Sequence, residues 1–331
     1  GFLSSGRHYD KNDIIMLAPT GRAAQRITES TGYDAMTAHR AVLSIKRGEE
    51  PPKGKLILCD ESSMVDIFLA RSILEYAKDC NLIFVGDVNQ IASVGPGKVL
   101  KDMIDSGVVP TILLKEGHRN SGTIAHNSDL INAGVKIDKY CYDEHFVYIP
   151  TTSENALGVI VDDYIKKGKE YGIKNVMLCA ATRERGYVAV KKLNENLQEV
   201  FTKGKEEAVF GGRKFRVGDR VMQTKNNYDV LWEKEDGTCG AGVYNGDVGH
   251  IARIEKGTDT VYVAFEDRLA IYEGEMLFEL ELAYAMTVHK SQGSEYRAVI
   301  LSACGGSPYL LNRSILYTAI TRARQLLIIV G

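Results

Sequence analysis

No apolar run in these 331 residues approaches the roughly 20 needed for a membrane-crossing helix, and no signal-peptide pattern opens the chain. No membrane partner is therefore expected. Cysteine is sparse and scattered. Cys59, Cys80, Cys141, Cys179, Cys239 and Cys304 stand singly, without a C-x-x-C pair. That excludes a disulfide framework and a zinc site, and it fits a reducing cytoplasm. Neither charge sign dominates: 41 basic residues face 43 acidic ones, for a net charge of −2. A protein coated in basic surface is excluded, but a groove with a local positive lining is not. A second cluster of carboxylates is also missing, which argues against two-metal nuclease chemistry. There is no fixed-period repeat and no low-complexity tract. The chain starts at Gly1 rather than at methionine, and we expect it to be part of a longer protein.

What is present is an α/β pattern in a chain long enough for two or three domains. DIIMLAPT, KLILCDE and NLIFVGD read as buried strands, and GRAAQRITEST and MVDIFLARSILEYAK as the helices after the first two. Apolar strands that feed helices indicate a parallel sheet covered on both faces, with ligands beyond the carboxyl ends of its strands. Between the first two strands, MTAHRAVLSIKRGEEPPKGK combines an amphipathic stretch with a Pro/Gly turn, and a short hairpin or excursion is expected there. A second α/β unit starts near Lys115, with NVMLCAATR as a strand and GYVAVKKLNENLQEVF as a helix. From about Gly211 to Glu275 short alternating strands broken by Gly, Asn and Asp read as a small inserted β-barrel. In that stretch Tyr244–Asp247, within VYNGD, is either a plain hairpin turn or a nucleic-acid-facing one. The α/β pattern then resumes in ELAYAMTVHKSQG, AVILSA, LNRSILYTAITRA and RQLLIIVG.

Two strand ends carry chemistry. LILCDESSM places Asp60 and Glu61 at the end of a strand, the arrangement that binds Mg²⁺ and orients water beside a nucleotide γ-phosphate. In FVGDVNQIASVGPG, Gln90 follows its strand closely enough for the amide to feel that phosphate. Alone, each string could be an ordinary strand-to-loop turn.

Together and in order, these strings resemble the helicase motifs of superfamily 1, in the form found in RecD-like 5′–3′ DNA helicases related to the exodeoxyribonuclease V alpha subunit. DESSM and GDVNQIASVGPGKVLKDMI are similar to the second and third motifs, and APTGRAAQRI to motif Ia. LKEGHRNSG resembles motif IV, AYAMTVHKSQGSEY motif V and LYTAITRAR motif VI. The resemblance implies two RecA-like domains, the first truncated, with an inserted β-barrel of the Src-homology-three type. The corresponding segments are 1–113, 114–210 with 276–331, and 211–275. It also implies ATP and Mg²⁺ as cofactors, and single-stranded DNA, duplex junctions and recombination-complex subunits as partners.

For individual residues, the resemblance implies catalytic roles for Asp60, Glu61, Gln90, Arg119 and Arg322, with Asp60 on the metal. Gly86, Asp87, Glu295 and Arg322 would bind nucleotide. Pro19, Thr20, Gly21, Arg22, His39, Thr287, His289, Lys290, Ser291 and Gln292 would bind DNA. Arg119 and Arg322 would reach the γ-phosphate, for which the planar, permanently charged guanidinium is suited. ATP would lie between the two RecA-like domains, with DNA across their upper surface. One family element is missing: G-x-x-G-x-G-K-[ST], whose amides and lysine cradle the phosphates, occurs nowhere in the chain. GKVL at 97–100 lacks the preceding glycines. We expect the loop upstream of Gly1, and no ATP turnover by these residues alone. The alternatives are a non-motor subunit of a recombination nuclease complex and an RNA-directed helicase of the same superfamily.

Overall fold

The computed structural model describes residues 9–114, 122–136, 139–184, 186, 188–255, 257–304 and 311–331. The chain divides into two compact units, Gly1–Lys115 and Glu116–Gly331.

In the first unit the apolar runs become β1 (Ile14–Ala18), β3 (Lys53–Cys59) and β4 (Asp79–Phe84), with a short β2 (Ala35–Thr37). All pairings are parallel, in the order β2-β1-β3-β4. The helices are α1 (Gly21–Thr31), α2 (Ala38–Lys46), α3 (Ile67–Tyr76) and α4 (Val99–Asp105). Polar residues mark their starts. Thr20 Oγ1 accepts from Ala23 N at 3.2 Å, Thr37 Oγ1 from Arg40 N at 3.2 Å, and Asp66 Oδ1 from Leu69 N at 2.7 Å. Leu17 and Ile57 of the sheet pack with Ala38 and Ala41 of α2 and Ile73 of α3, all fully buried. Of the hairpin or excursion expected between the first two long strands, the chain makes an excursion, β2 followed by α2. AMT extends the sheet beside β1, and the Thr37 cap turns the chain at once into a helix.

The second unit opens with α5 (Thr123–Asn132), β5 (Phe146–Ile149), α6 (Ala156–Tyr171), β6 (Val176–Ala180) and α7 (Val190–Phe201). A run of antiparallel strands follows: β7 (Glu207–Phe210), β8 (Arg213–Arg216), β9 (Arg220–Gln223), β10 (Asn227–Glu233), β11 (Cys239–Val243), β12 (Val248–Glu255), β13 (Thr260–Ala264), β14 (Leu269–Glu273) and β15 (Leu280–Leu282). The chain ends with β16 (Ala285–Thr287), β17 (Tyr296–Ser302), α8 (Arg313–Ile320) and β18 (Ala323–Val330).

β16-β6-β17-β18-β5 form a parallel sheet around a core that includes Leu178, Ile300 and Ile328. The antiparallel strands pair as β11-β10-β14-β13-β12-β9-β15, with β7-β8 as a separate hairpin. Register breaks between Asn227 and Leu231 and between Ile251 and Arg253 bend this sheet around Val230, Val263 and Tyr272. Among the described residues the strand pairing does not close into a ring. The sequence turns Tyr244–Asp247 into the link from β11 to β12, where Tyr244 N donates to Asp247 Oδ2 at 3.1 Å.

Two adjacent residues at the start of β9 fasten the antiparallel sheet to the α/β layer. Asp219 is fully buried and accepts from Gln198 Nε2 (2.6 Å), Thr202 Oγ1 (2.7 Å), Arg216 N (2.6 Å) and Tyr284 Oη (3.0 Å). Arg220 donates to Ile173 O at 2.7 Å and to Tyr164 Oη and Val176 O at 3.3 Å. Four donors on one carboxylate, and three acceptors for one guanidinium, offset the desolvation that burial imposes.

Candidate functional site

The acid pair lies where β3 ends. Asp60 N donates to Leu17 O at 2.9 Å, keeping β3 beside β1 to its last residue. The chain then turns sharply. Glu61 adopts φ 51 and ψ 36, and it is the only residue other than glycine with positive φ among those described. A left-handed backbone disfavours any residue with a Cβ, and such strain concentrates at functional turns. Local bonds hold it. Asp60 Oδ1 accepts from Glu61 N at 2.8 Å, Ser62 Oγ donates to Cys59 O at 2.6 Å, and Ser62 N donates to Val85 O at 2.8 Å.

The loop after β4 is stitched to this turn. Val85 N donates to Cys59 O at 2.8 Å, Ser93 N to Ser63 O at 3.1 Å, and Ile67 N to Pro96 O at 3.0 Å. Gly86 is needed for the approach, because a Cβ there would sit 3.0 Å from both Ser62 N and Ser63 N. At Gly95 a Cβ would fall 2.1 Å from Asp66 Oδ2. Asp87 shapes the loop: its Oδ1 accepts from Asn89 N at 2.9 Å and its carbonyl from Gln90 N at 3.2 Å. The Gln90 Oε1 is buried without a hydrogen-bond partner among the described residues. Asp60, Glu61, Gly86, Asp87 and Gln90 thus share one end of the sheet on a single braced surface. Among the described residues no group of three or more His, Cys, Asp or Glu could cage a metal. One strand-end carboxylate fits a Mg²⁺ shared with nucleotide phosphates, since that ion keeps water and substrate oxygens and needs only one or two carboxylates.

Pro19, Thr20, Gly21 and Arg22 occupy the neighbouring end of β1 and the first residues of α1. Thr20 uses an oxygen lone pair as the helix cap, and its hydroxyl proton stays available to an anion. His39 is exposed at the start of α2.

In the second unit Thr287 ends β16, and Val288–Ser291 forms a single 3₁₀ turn. Ser291 is fully buried and donates to Val288 O at 2.7 Å, so its hydroxyl proton shapes the turn. Gln292 is buried too, whereas His289 is exposed. Partial desolvation still holds the His289 imidazole below its ordinary pKa of 6.5. Lys290 Nζ lies 3.2 Å from Glu281 Oε2. Glu295 pairs with Arg324 at 2.5 Å. Arg322 is 4% exposed, and its fork donates to Thr318 O and Ser294 O at 3.2 Å and to Thr321 Oγ1 at 3.3 Å. In this conformation those guanidinium bonds stay within its own unit. Arg119 lies outside the described residues.

An internal echo escaped the reading of the sequence. Ala35–Arg40 reads AMTAHR, and Ala285–Lys290 reads AMTVHK. In each, AMT is a three-residue strand at the edge of a parallel sheet, ending in an extended threonine, at φ −70 and ψ 143 for Thr37 and φ −74 and ψ 153 for Thr287. The registers correspond as well: Thr37 lies opposite Ala18, and Thr287 opposite Ala180. A helical turn then presents an exposed histidine followed by a cation. The repeated string was visible in the sequence, but its equivalent placement needed the two sheets. It adds Thr37 and Arg40 to the candidate residues.

Comparison with known proteins gives matches along most of the chain. Residues 4–146 match an AAA domain, 193–265 the SH3 domain of ATP-dependent RecD-like DNA helicases, and 282–330 a UvrD-like helicase C-terminal domain. The chain is 29% identical over 324 residues to the ATP-dependent RecD2 DNA helicase of Deinococcus radiodurans, covering 95% of this chain and 42% of that protein. It is 27% identical over 361 residues to the RecBCD enzyme subunit RecD of Mycolicibacterium smegmatis, covering 96% and 62% respectively. The chain thus spans about half the length of these two relatives. Its fold is similar to that of Pif1 helicase from Candida albicans, with a TM-score of 0.57 at 17% identity over 99% of this chain and 86% of that one. Bacteroides Pif1 bound to single-stranded DNA gives 0.52 at 18% identity, over 96% and 82%. With matches to an AAA domain, a RecD-type SH3 domain and a UvrD-like C-terminal domain in succession, the chain is similar to the RecD-like helicases along most of its length.

Proposed function

We propose that the protein containing this chain is an ATP-dependent DNA helicase that moves 5′ to 3′ along single-stranded DNA in recombination and repair. The observation that carries this reading is the strained Glu61 beside Asp60, braced against the Gln90 loop by hydrogen bonds from Ser62 and Ser93. Asp60 would hold Mg²⁺, which when bound neutralises charge on the nucleotide phosphates. Glu61 would orient the attacking water, with Gln90 close enough to register loss of the γ-phosphate. Arg322 would stabilise that phosphate, which requires its fork to leave Ser294 O and the Thr318 and Thr321 oxygens.

The paired elements around Thr37–Arg40 and Thr287–Lys290, with Pro19–Arg22, would hold the nucleic-acid backbone. Phosphate contacts make such binding tolerant of sequence and sensitive to salt. The 331 residues contain no G-x-x-G-x-G-K-[ST] string, so ATP turnover would require residues beyond them. A second reading, a subunit of a recombination complex, is supported by the relative named as the RecD subunit of RecBCD.

The test uses a form of the protein that carries a phosphate-binding loop. Single-stranded DNA should stimulate ATP hydrolysis more than RNA does, and forks with a 5′ tail should be unwound. Glu61→Gln should keep nucleotide binding and abolish turnover. Unwinding only from 3′ tails would overturn the direction, and turnover retained in Glu61→Gln would remove that residue from its role. DNA binding without any nucleotide dependence would favour the non-motor subunit.

A further inference from the structure

Two register-paired strand ends in the second unit carry one cation each. Thr287 of β16 lies opposite Ala180 of β6. Lys290 follows the first and Arg183 the second, each three residues beyond the paired position. Both cations close on one carboxylate, that of Glu281: Oε1 accepts from Arg183 Nη2, and Oε2 lies 3.2 Å from Lys290 Nζ.

Glu281 does not belong to the parallel sheet. It comes from β15, the edge strand of the antiparallel sheet, where it pairs in register with Met222. A planar anion therefore spans a guanidinium fork and an ammonium group at the carboxyl end of a parallel sheet, where ligands of such folds bind. The two non-bridging oxygens of a phosphodiester would make the same pair of contacts. The side chains are 57% (Arg183), 28% (Lys290) and 24% (Glu281) exposed. Ion pairs this accessible to water are weak and easily exchanged. The trio also keeps one net positive charge after the internal pairing.

We propose that Arg183 and Lys290 form a backbone-phosphate site, and that Glu281 covers it in the nucleic-acid-free protein. A phosphodiester of the bound strand displaces the Glu281 carboxylate and takes its place between the cations. The proposal rests on the nucleic-acid reading above and deepens it: it adds Arg183 to the binding surface and makes Glu281 an internal competitor. The ligand is defined by its repeating phosphodiesters, not by its bases. Because the competitor sits on β15, each binding event also releases the antiparallel sheet from this contact with the parallel one.

The test is fluorescence anisotropy of labelled oligothymidine titrated with the whole 331-residue chain. Glu281→Gln should tighten binding about three- to tenfold at ~50 mM salt, since it removes a competitor of surface ion-pair strength. Glu281→Ala should act in the same direction through a different side chain. In an Arg183→Ala/Lys290→Ala background the gain should vanish. Trp232 fluorescence in urea checks that each variant stays folded. An equal gain in the doubly substituted background would mean that Glu281 acts only by general repulsion, and would overturn the proposal. So would unchanged affinity in both folded Glu281 variants when the wild-type chain binds. A folded wild-type chain that fails to bind oligothymidine would instead refute the nucleic-acid reading itself.

Discussion

Replacing Glu61 by glycine should stabilise the first unit relative to replacing it by alanine, the reverse of the usual order. Both variants lose the carboxylate, so their difference isolates the backbone. At φ 51 and ψ 36, a residue with a Cβ costs about 1–2 kcal/mol because the Cβ crowds the following carbonyl. Glycine avoids that cost but loses about 0.5–1 kcal/mol through its freer unfolded chain. The balance should leave Glu61→Gly about 0.5–1 kcal/mol more stable than Glu61→Ala. At an ordinary strand or helix position, alanine leads by a similar margin. Urea unfolding followed by circular dichroism measures the difference. The single tryptophan, Trp232, lies in the second unit, so its fluorescence separates that unit's transition from the first. Equal stabilities, or alanine ahead, would show that Glu61 stores no backbone strain and would remove the physical reason for treating this turn as a purpose-built feature. In a form of the protein that hydrolyses ATP, neither variant should turn over ATP, whichever is more stable.

Asp219→Ala should lower the stability of the second unit by about 3–5 kcal/mol, because it strands donors of Gln198, Arg216 and Tyr284 at once, while Thr202 keeps Gln198 O as an acceptor; a small shift in the Trp232 urea midpoint would contradict this. Gly95→Ala should cost about 1–3 kcal/mol in the first unit, since the added methyl meets the Asp66 carboxylate at 2.1 Å; an unchanged first-unit transition would show that the loop yields freely. Burial pushes the Cys59 thiol up to about 11 and Cys179 to about 12. Iodoacetamide at neutral pH should therefore label the exposed Cys141 and Cys239 first, and mass spectrometry that found Cys59 or Cys179 labelled equally fast would contradict the packing.

Much of the architecture could be read in advance, because the long parallel strands are continuous apolar runs ending in polar turns. KLILCDE becomes β3, with Asp60 and Glu61 at its carboxyl end, since strand ends are encoded locally. What could not be read depends on partners distant in sequence. β2 is only three residues long and exists because Ala35–Thr37 finds the edge of β1. The need for Gly86 appears only when Ser62 and Ser63 come within contact distance. Nothing in the local sequence marks Asp219, whose donors come from α7 and from Tyr284, 65 residues away in sequence. The resemblance implied a phosphate-contacting Arg322, but its inward fork was not legible, because Ser294 comes from the turn before the neighbouring strand β17, 28 residues away in sequence.

The Asp219–Arg220 fastening bears on how such chains can be recombined. These neighbours face different partners: Asp219 reaches α7 and the residue before β16, and Arg220 reaches α6 and the start of β6. A graft cut at the visible edges of the antiparallel strands would carry both charges into a host without Gln198, Thr202 or Tyr164 to receive them. The transplantable piece is therefore larger than the sheet. Exchange of this region between relatives should succeed only where the crossover points lie before α6 and after Tyr284, so that both halves of each buried bond travel together.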